Sequence, residues 1–199
     1  MSPVKDRRGV AAFEFAVIIL PFMAILMVGV AEVSNTLRVK HRLDSTSQQI
    51  GQVVSQCNVV SAGDAGQFWR EATKLLEGAT SLGTDAAVIV SAVYKDGRTD
   101  RVAWQLRTGS GTFASAIGAP GGAANLPGTF SPPGEHVVIA TEVFSNVQPL
   151  VLDPQLAAKM AEVVKLPKTV SATTFTISRA LDPAALRELS TDSKMKCTA

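Results

Sequence analysis

In the stretch RRGVAAFEFAVIILPFMAILMVGVAEV, Glu14 is the fifth residue of a long apolar run that begins at Val10, directly after Gly9. A carboxylate held in or near hydrocarbon costs roughly 2 to 4 kcal/mol on insertion scales. The chemistry such a group offers is ion pairing in a medium that screens little. Other reactive constellations are thin. The two histidines, His41 and His136, are too few for a histidine metal cluster. A Ser-His-Asp site around His136 would have to assemble across the fold, and no G-x-S-x-G elbow supports one. Gly109-Ser110-Gly111 has neither Walker nor Rossmann spacing. Cys57 and Cys197 fit no zinc or CxxC pattern. In an exported body they could pair, which chain entropy values at up to about 5 kcal/mol for so long a loop. In a cytoplasmic body they would be two thiols. The sequence therefore implies no enzyme, no metal and no cofactor.

The elements that must position Glu14 follow from composition. Of the 199 residues, 46% are hydrophobic and only 18% charged, and the apolar excess is concentrated before residue 34. The net charge of +2 resides in the first nine residues, through Lys5, Arg7 and Arg8 against Asp6. The rest sums to about zero, which argues against nucleic acid as a partner. Residues 10–33 slightly exceed the ~20 helical residues needed to cross a bilayer. A cleaved secretory signal is the nearest alternative, but the segment is too long and no A-x-A-like site follows it. Positive charges are balanced, three before the span and three after it at Arg38, Lys40 and Arg42. The charges before it lie closer to the apolar edge, which favours a cytoplasmic N-terminus. Pro21 lies within the span, where it removes a backbone hydrogen bond and is a candidate kink.

The order of a short basic tail, Gly9, four apolar residues, Glu14 and a long apolar helix resembles the cleavage and assembly signal of type IV prepilins and pseudopilins. The continuation through Glu32 and RVKHRLDSTSQQIGQVV is most similar to the TadE family of the Tad (Flp) pilus system. The resemblance covers roughly residues 7–54. It implies that a membrane prepilin peptidase cuts after Gly9, leaving Val10 as a new α-amine. It also implies that Glu14 pairs with that amine on a neighbouring subunit, which would fix docking at one register. Gly9, lacking a side chain, would let the backbone lie extended in a protease cleft. Val10 stands where many type IV pilins carry an N-methylated Phe, and Phe15 where the small Flp pilins carry Tyr. The chain is several times longer than those pilins, which points to a minor or accessory subunit.

Beyond the anchor, helical spacing of Leu43, Ile50, Val53 and Val54 predicts a stalk helix within residues 34–60, followed by a second helix over about residues 64–77. AAVIVSAVY and RVAWQLR flank Lys95-Asp96-Gly97-Arg98 and predict a hairpin. Further strands are expected in HVVIATEVFSNV and TVSATTFTISRA. A helix is expected in LDPQLAAKMAEVVKL, with Asp153 as cap and Pro154 at its first position, and LDPAALREL repeats that start signal. Residues 108–134, dense in Gly, Ala, Ser and Pro, predict a long flexible loop that buries little.

The expected fold class is α+β: a long N-terminal transmembrane and stalk helix, then an exported pilin-like domain over residues 61–199 with an antiparallel sheet and short helices. The expected setting is a bacterial inner membrane crossed once, with residues 1–9 as a cytoplasmic leader and the C-terminal domain periplasmic or carried into a pilus. The implied partners are the prepilin peptidase, other pilin or pseudopilin subunits, the inner-membrane assembly machinery and the lipid bilayer. The expected role is assembly of a pilus for surface adhesion. The alternative is a signal-anchored periplasmic binding or adhesion module unrelated to pili.

Overall fold

Long runs of Leu, Ile, Met and Ala favour helix, and from Arg7 the chain forms one that continues to Gln56, α1 (Arg7–Gln56). The computed structural model describes residues 7–57, 59–76, 85–128, 130, 132–133, 136–150, 155, 168–179 and 197. Of the helix expected at Asp153 only Gln155 is among these residues, and it is helical; the helix expected at LDPAALREL lies outside them. The chain divides into two compact units, residues 1–37 with 148–166 and residues 38–147 with 167–199.

In the first unit, exposed apolar side chains point in every direction around α1 between Phe13 and Val33. Phe13, Phe15, Ile18, Leu20, Phe22, Ile25 and Met27 are all exposed. Among the described residues, α1 contains the one stretch long and apolar enough to cross a membrane, and none of its most apolar window is buried. Pro21 lies inside this helix.

In the second unit, apolar residues narrow to a stripe. Val39, Leu43, Ile50 and Val54 are buried at spacings of four, seven and four residues, the signature of a helix covered on one side. Helix α2 (Ala62–Leu76) joins them through Phe68, Ala72 and Leu76. Its start is a capping box: the Ser61 amide and hydroxyl both donate to Asp64 Oδ2, at 2.7 and 2.9 Å. The helix thus begins two residues earlier than the apolar spacing alone suggests.

The four strands are β1 (Ala86–Asp96), β2 (Thr99–Gly109), β3 (Val138–Asn146) and β4 (Thr169–Ile177). They form an antiparallel sheet in the order β2-β1-β3-β4. β1 and β2 are joined by a two-residue turn at Gly97 and Arg98, where the Gly97 φ of 63° is a conformation L side chains rarely adopt. β1 is buried from Ala86 to Val93 without alternation, as expected of a strand covered on both faces.

One face of the sheet presents Val88, Val90, Trp104, Leu106, Ile139 and Val143 to the two helices. Near β4 the packing is of small and hydroxyl-bearing residues. The Ser47 and Thr174 hydroxyls are 2.8 Å apart, and Thr176 Oγ1 donates to the Gly51 carbonyl at 3.0 Å. A Cβ on Gly51 would meet Thr141 Oγ1 at 3.3 Å, so glycine sets how closely α1 approaches the sheet.

The other face is covered by the stretch expected as a loop. Thr108 and Gly109 still belong to β2, and the chain then crosses the sheet, forming no strand among the described residues. Ile117 is buried with Val93, Val102 and Ala140, while Phe113 stacks on Phe144 and Phe130 packs against Phe175. Backbone bonds tie residues 121–124 to the edge of β2, with Val102 donating to Gly122 and Gly121 to Val102.

Candidate functional site

The N-terminal site rests on a single turn of α1. Gly9 and Val10 both lie within the helix, so the extended backbone a protease cleft needs would require this turn to open. Glycine, about 1 kcal/mol worse than alanine in a helix interior, makes that opening easier. Four residues on, one turn further and on the same side, Glu14 is exposed. Its chain neighbours Phe13 and Phe15 are 70% and 67% exposed. Among the described residues Glu14 has no hydrogen-bond or ion-pair partner. A carboxylate so placed is available to a cation from outside the chain. A cut after Gly9 would create such a cation at Val10 in each copy, at a helix end that already favours negative charge nearby.

At the other end of the apolar run the first unit has a polar cluster that spacing did not reveal. The Leu150 amide donates to both carboxylate oxygens of Glu32, each at 3.1 Å. Asn35 Nδ2 donates to the Gln148 carbonyl at 3.1 Å. These partners are more than a hundred residues apart in sequence, so no local pattern could pair them.

Cys57, just beyond α1, is joined to Cys197 by a disulfide, with Cα atoms 4.9 Å apart across 140 residues of chain. The Cys197 amide also donates to Asp64 Oδ1 at 3.3 Å, so the acid at the start of α2 also holds Cys197. His41 and His136 are both exposed, on α1 and just before β3. Among the described residues no group of three or more His, Cys, Asp or Glu could hold a metal ion.

Sequence reasoning also missed Glu142, which is fully buried in the middle of β3. Its carboxylate accepts from the Ala116 amide at 2.9 Å and from the Ser115 hydroxyl. Arg107, on β2, donates to the carbonyls of Gly111 and Phe113. These two side chains supply bonds that a strand ladder would otherwise give to the covering stretch. Burial pushes the Glu142 carboxyl above its ordinary value, partly offset by the hydrogen bonds from Ser115 and Ala116.

No curated protein and no solved structure matches the chain. A family model does match, and it covers most of α1. Residues 9–51 fit the family described as TadE-like protein, so this segment, which carries Gly9, Glu14 and Glu32, is TadE-like, consistent with a TadE-like protein of the Tad pilus system.

Proposed function

We propose that this chain is a minor pseudopilin of a Tad pilus system. A prepilin peptidase cuts it after Gly9, the inner membrane holds it through residues 10–33, and the residues beyond lie in the periplasm. Its role is structural rather than catalytic: it joins other pilin or pseudopilin subunits and the inner-membrane machinery in building a pilus used for surface adhesion. The observation that carries this reading is Glu14, exposed on an apolar helix wall with no partner among the described residues. In hydrocarbon that position is tolerable once a neighbour's α-amine reaches it, and the pairing then selects one docking register over sliding. The Cys57 to Cys197 bridge supports a periplasmic body, because disulfides persist in oxidising compartments.

The test is Glu14→Ala, compared with Glu14→Asp, in cells that assemble the pilus. Losing one partner of a desolvated ion pair costs about 3 to 5 kcal/mol, so subunit association should fall by roughly a hundredfold or more. Glu14→Ala should still insert in the membrane but fail to co-purify with its neighbours, while Glu14→Asp should retain part of the association. Normal piliation with Glu14→Ala would remove the pairing.

A further inference from the structure

The apolar wall of α1 ends at Glu32 and Asn35. At about 1.5 Å of rise per residue, the step from Phe13 to Glu32 covers about 29 Å, close to the ~30 Å hydrocarbon thickness of a bilayer. If the helix crosses with little tilt, Glu32 marks the level where lipid tails give way to headgroups. At that level the chain returns to the helix through Gln148, Pro149 and Leu150.

The backbone of this return is tied to α1. Leu150 donates its amide to both oxygens of Glu32, and Asn35 caps the Gln148 carbonyl. Pro149 has no amide to satisfy. Unpaired backbone donors are costly near hydrocarbon; at these two positions the one amide present, that of Leu150, is held by Glu32. The Leu150 side chain, by contrast, is 63% exposed, and on α1 Val30 and Val33 at the same level are exposed too. In sequence the apolar character continues through Val151 and Leu152.

We propose that residues 148–150 form a second lipid contact, with Leu150 entering the interfacial layer of a phospholipid bilayer at the level of Glu32. The occupant is lipid because the contact adjoins the end of a helix stretch, Phe13 to Val33, whose exposed apolar side chains point in every direction, which suits a fluid solvent better than one protein face. Glu32 and Asn35 act as positioning residues: they hold the backbone so that Leu150 can stay exposed. This contact rests on the membrane insertion of α1.

The experiment uses the full-length protein in phosphatidylcholine vesicles, with a nitroxide placed in turn at Leu20→Cys, Leu150→Cys and Arg98→Cys. Collision rates with oxygen and with a water-soluble nickel chelate report depth. The oxygen-to-nickel ratio at Leu150 should lie several-fold above that at Arg98, on the hairpin turn, and below that at Leu20. Glu32→Ala should drop the Leu150 ratio to the Arg98 value without moving Leu20. Glu32→Gln should keep it, since an amide oxygen still accepts from Leu150. A Leu150 ratio equal to that of Arg98, with Leu20 in lipid, would overturn the lipid contact while leaving the anchor standing. A water-exposed Leu20 would overturn the anchor and this contact together. An unchanged Leu150 depth in Glu32→Ala would overturn the positioning role of Glu32.

Discussion

The two halves of α1 share one backbone conformation and almost nothing else. Between Phe13 and Val33 the large apolar side chains point in every direction and most are exposed; after Arg38 only Val39, Leu43, Ile50 and Val54 are apolar and buried, while Arg38, His41, Arg42, Gln48 and Gln49 face outward. A helix meeting a sheet needs one stripe, whereas a helix meeting lipid needs a complete jacket. Periodicity therefore reports what a helix packs against, beyond the fact that it is a helix. The charges follow the same division: Lys40 pairs with Asp44 at 3.2 Å in the second half, and Glu14 stands alone among the described residues in the first.

The sharpest way to break this contrast is a matched truncation. Leu43 is fully buried, so Leu43→Ala should destabilise the second unit by about 2 to 5 kcal/mol. Leu20→Ala should leave its thermal unfolding in detergent unchanged. Equal effects at both positions would mean that the first half also packs on protein. Next in size is the bridge that begins where α1 ends. Cys197→Ser should cost about 2 to 4 kcal/mol in denaturant unfolding, and thiol labelling should rise only after reduction in the wild-type protein.

A glycine pair gives a finer comparison. At Gly51 a Cβ already meets Thr141 and Thr176 at 3.3 and 3.4 Å, whereas at Gly29 it meets nothing within 4 Å. Gly51→Leu should thus cost about 1 to 3 kcal/mol through overpacking, and Gly29→Leu should cost no stability. The smallest effect concerns pH and the sheet's far face. Because burial raises the Glu142 carboxyl, its contribution is fully present below the ordinary carboxylate value and is lost as pH rises through the raised one. Glu142→Gln, which can still accept from Ala116, should flatten the fall in melting temperature between acid and neutral pH. An unchanged slope would show that Glu142 does not set it.

Much of this was legible because it is local. The exposed apolar run of α1, the Asp-Gly cue at the β1–β2 turn and the strand-forming runs each depend on residues a few positions apart, and β1 to β4 form where those patterns predict them. The Ser61 to Asp64 capping box was equally local, and reading for S-x-x-D would have found it. What stayed hidden is non-local or polar. Ser47 and Gly51 pack against Thr174 and Thr176 without any apolar signature. The covering stretch past β2 looks like unstructured linker by composition, yet Arg107, Phe144 and Glu142 hold it from three different positions. An acid in a strand such as Glu142 reads as solvent-facing until its partners, some 26 residues away, are known. The spacing of Gly9, Val10 and Glu14 is visible in the sequence, whereas the hydrogen bonds of Glu32 reach across 118 residues.

The central claim is that the first half of α1 is a processed anchor whose Glu14 awaits a new amino terminus. Intact mass and N-terminal sequencing of the membrane-extracted protein, from cells containing the peptidase, test it most directly. The account predicts a chain beginning at Val10; a terminus at Met1 or Ser2 would contradict it.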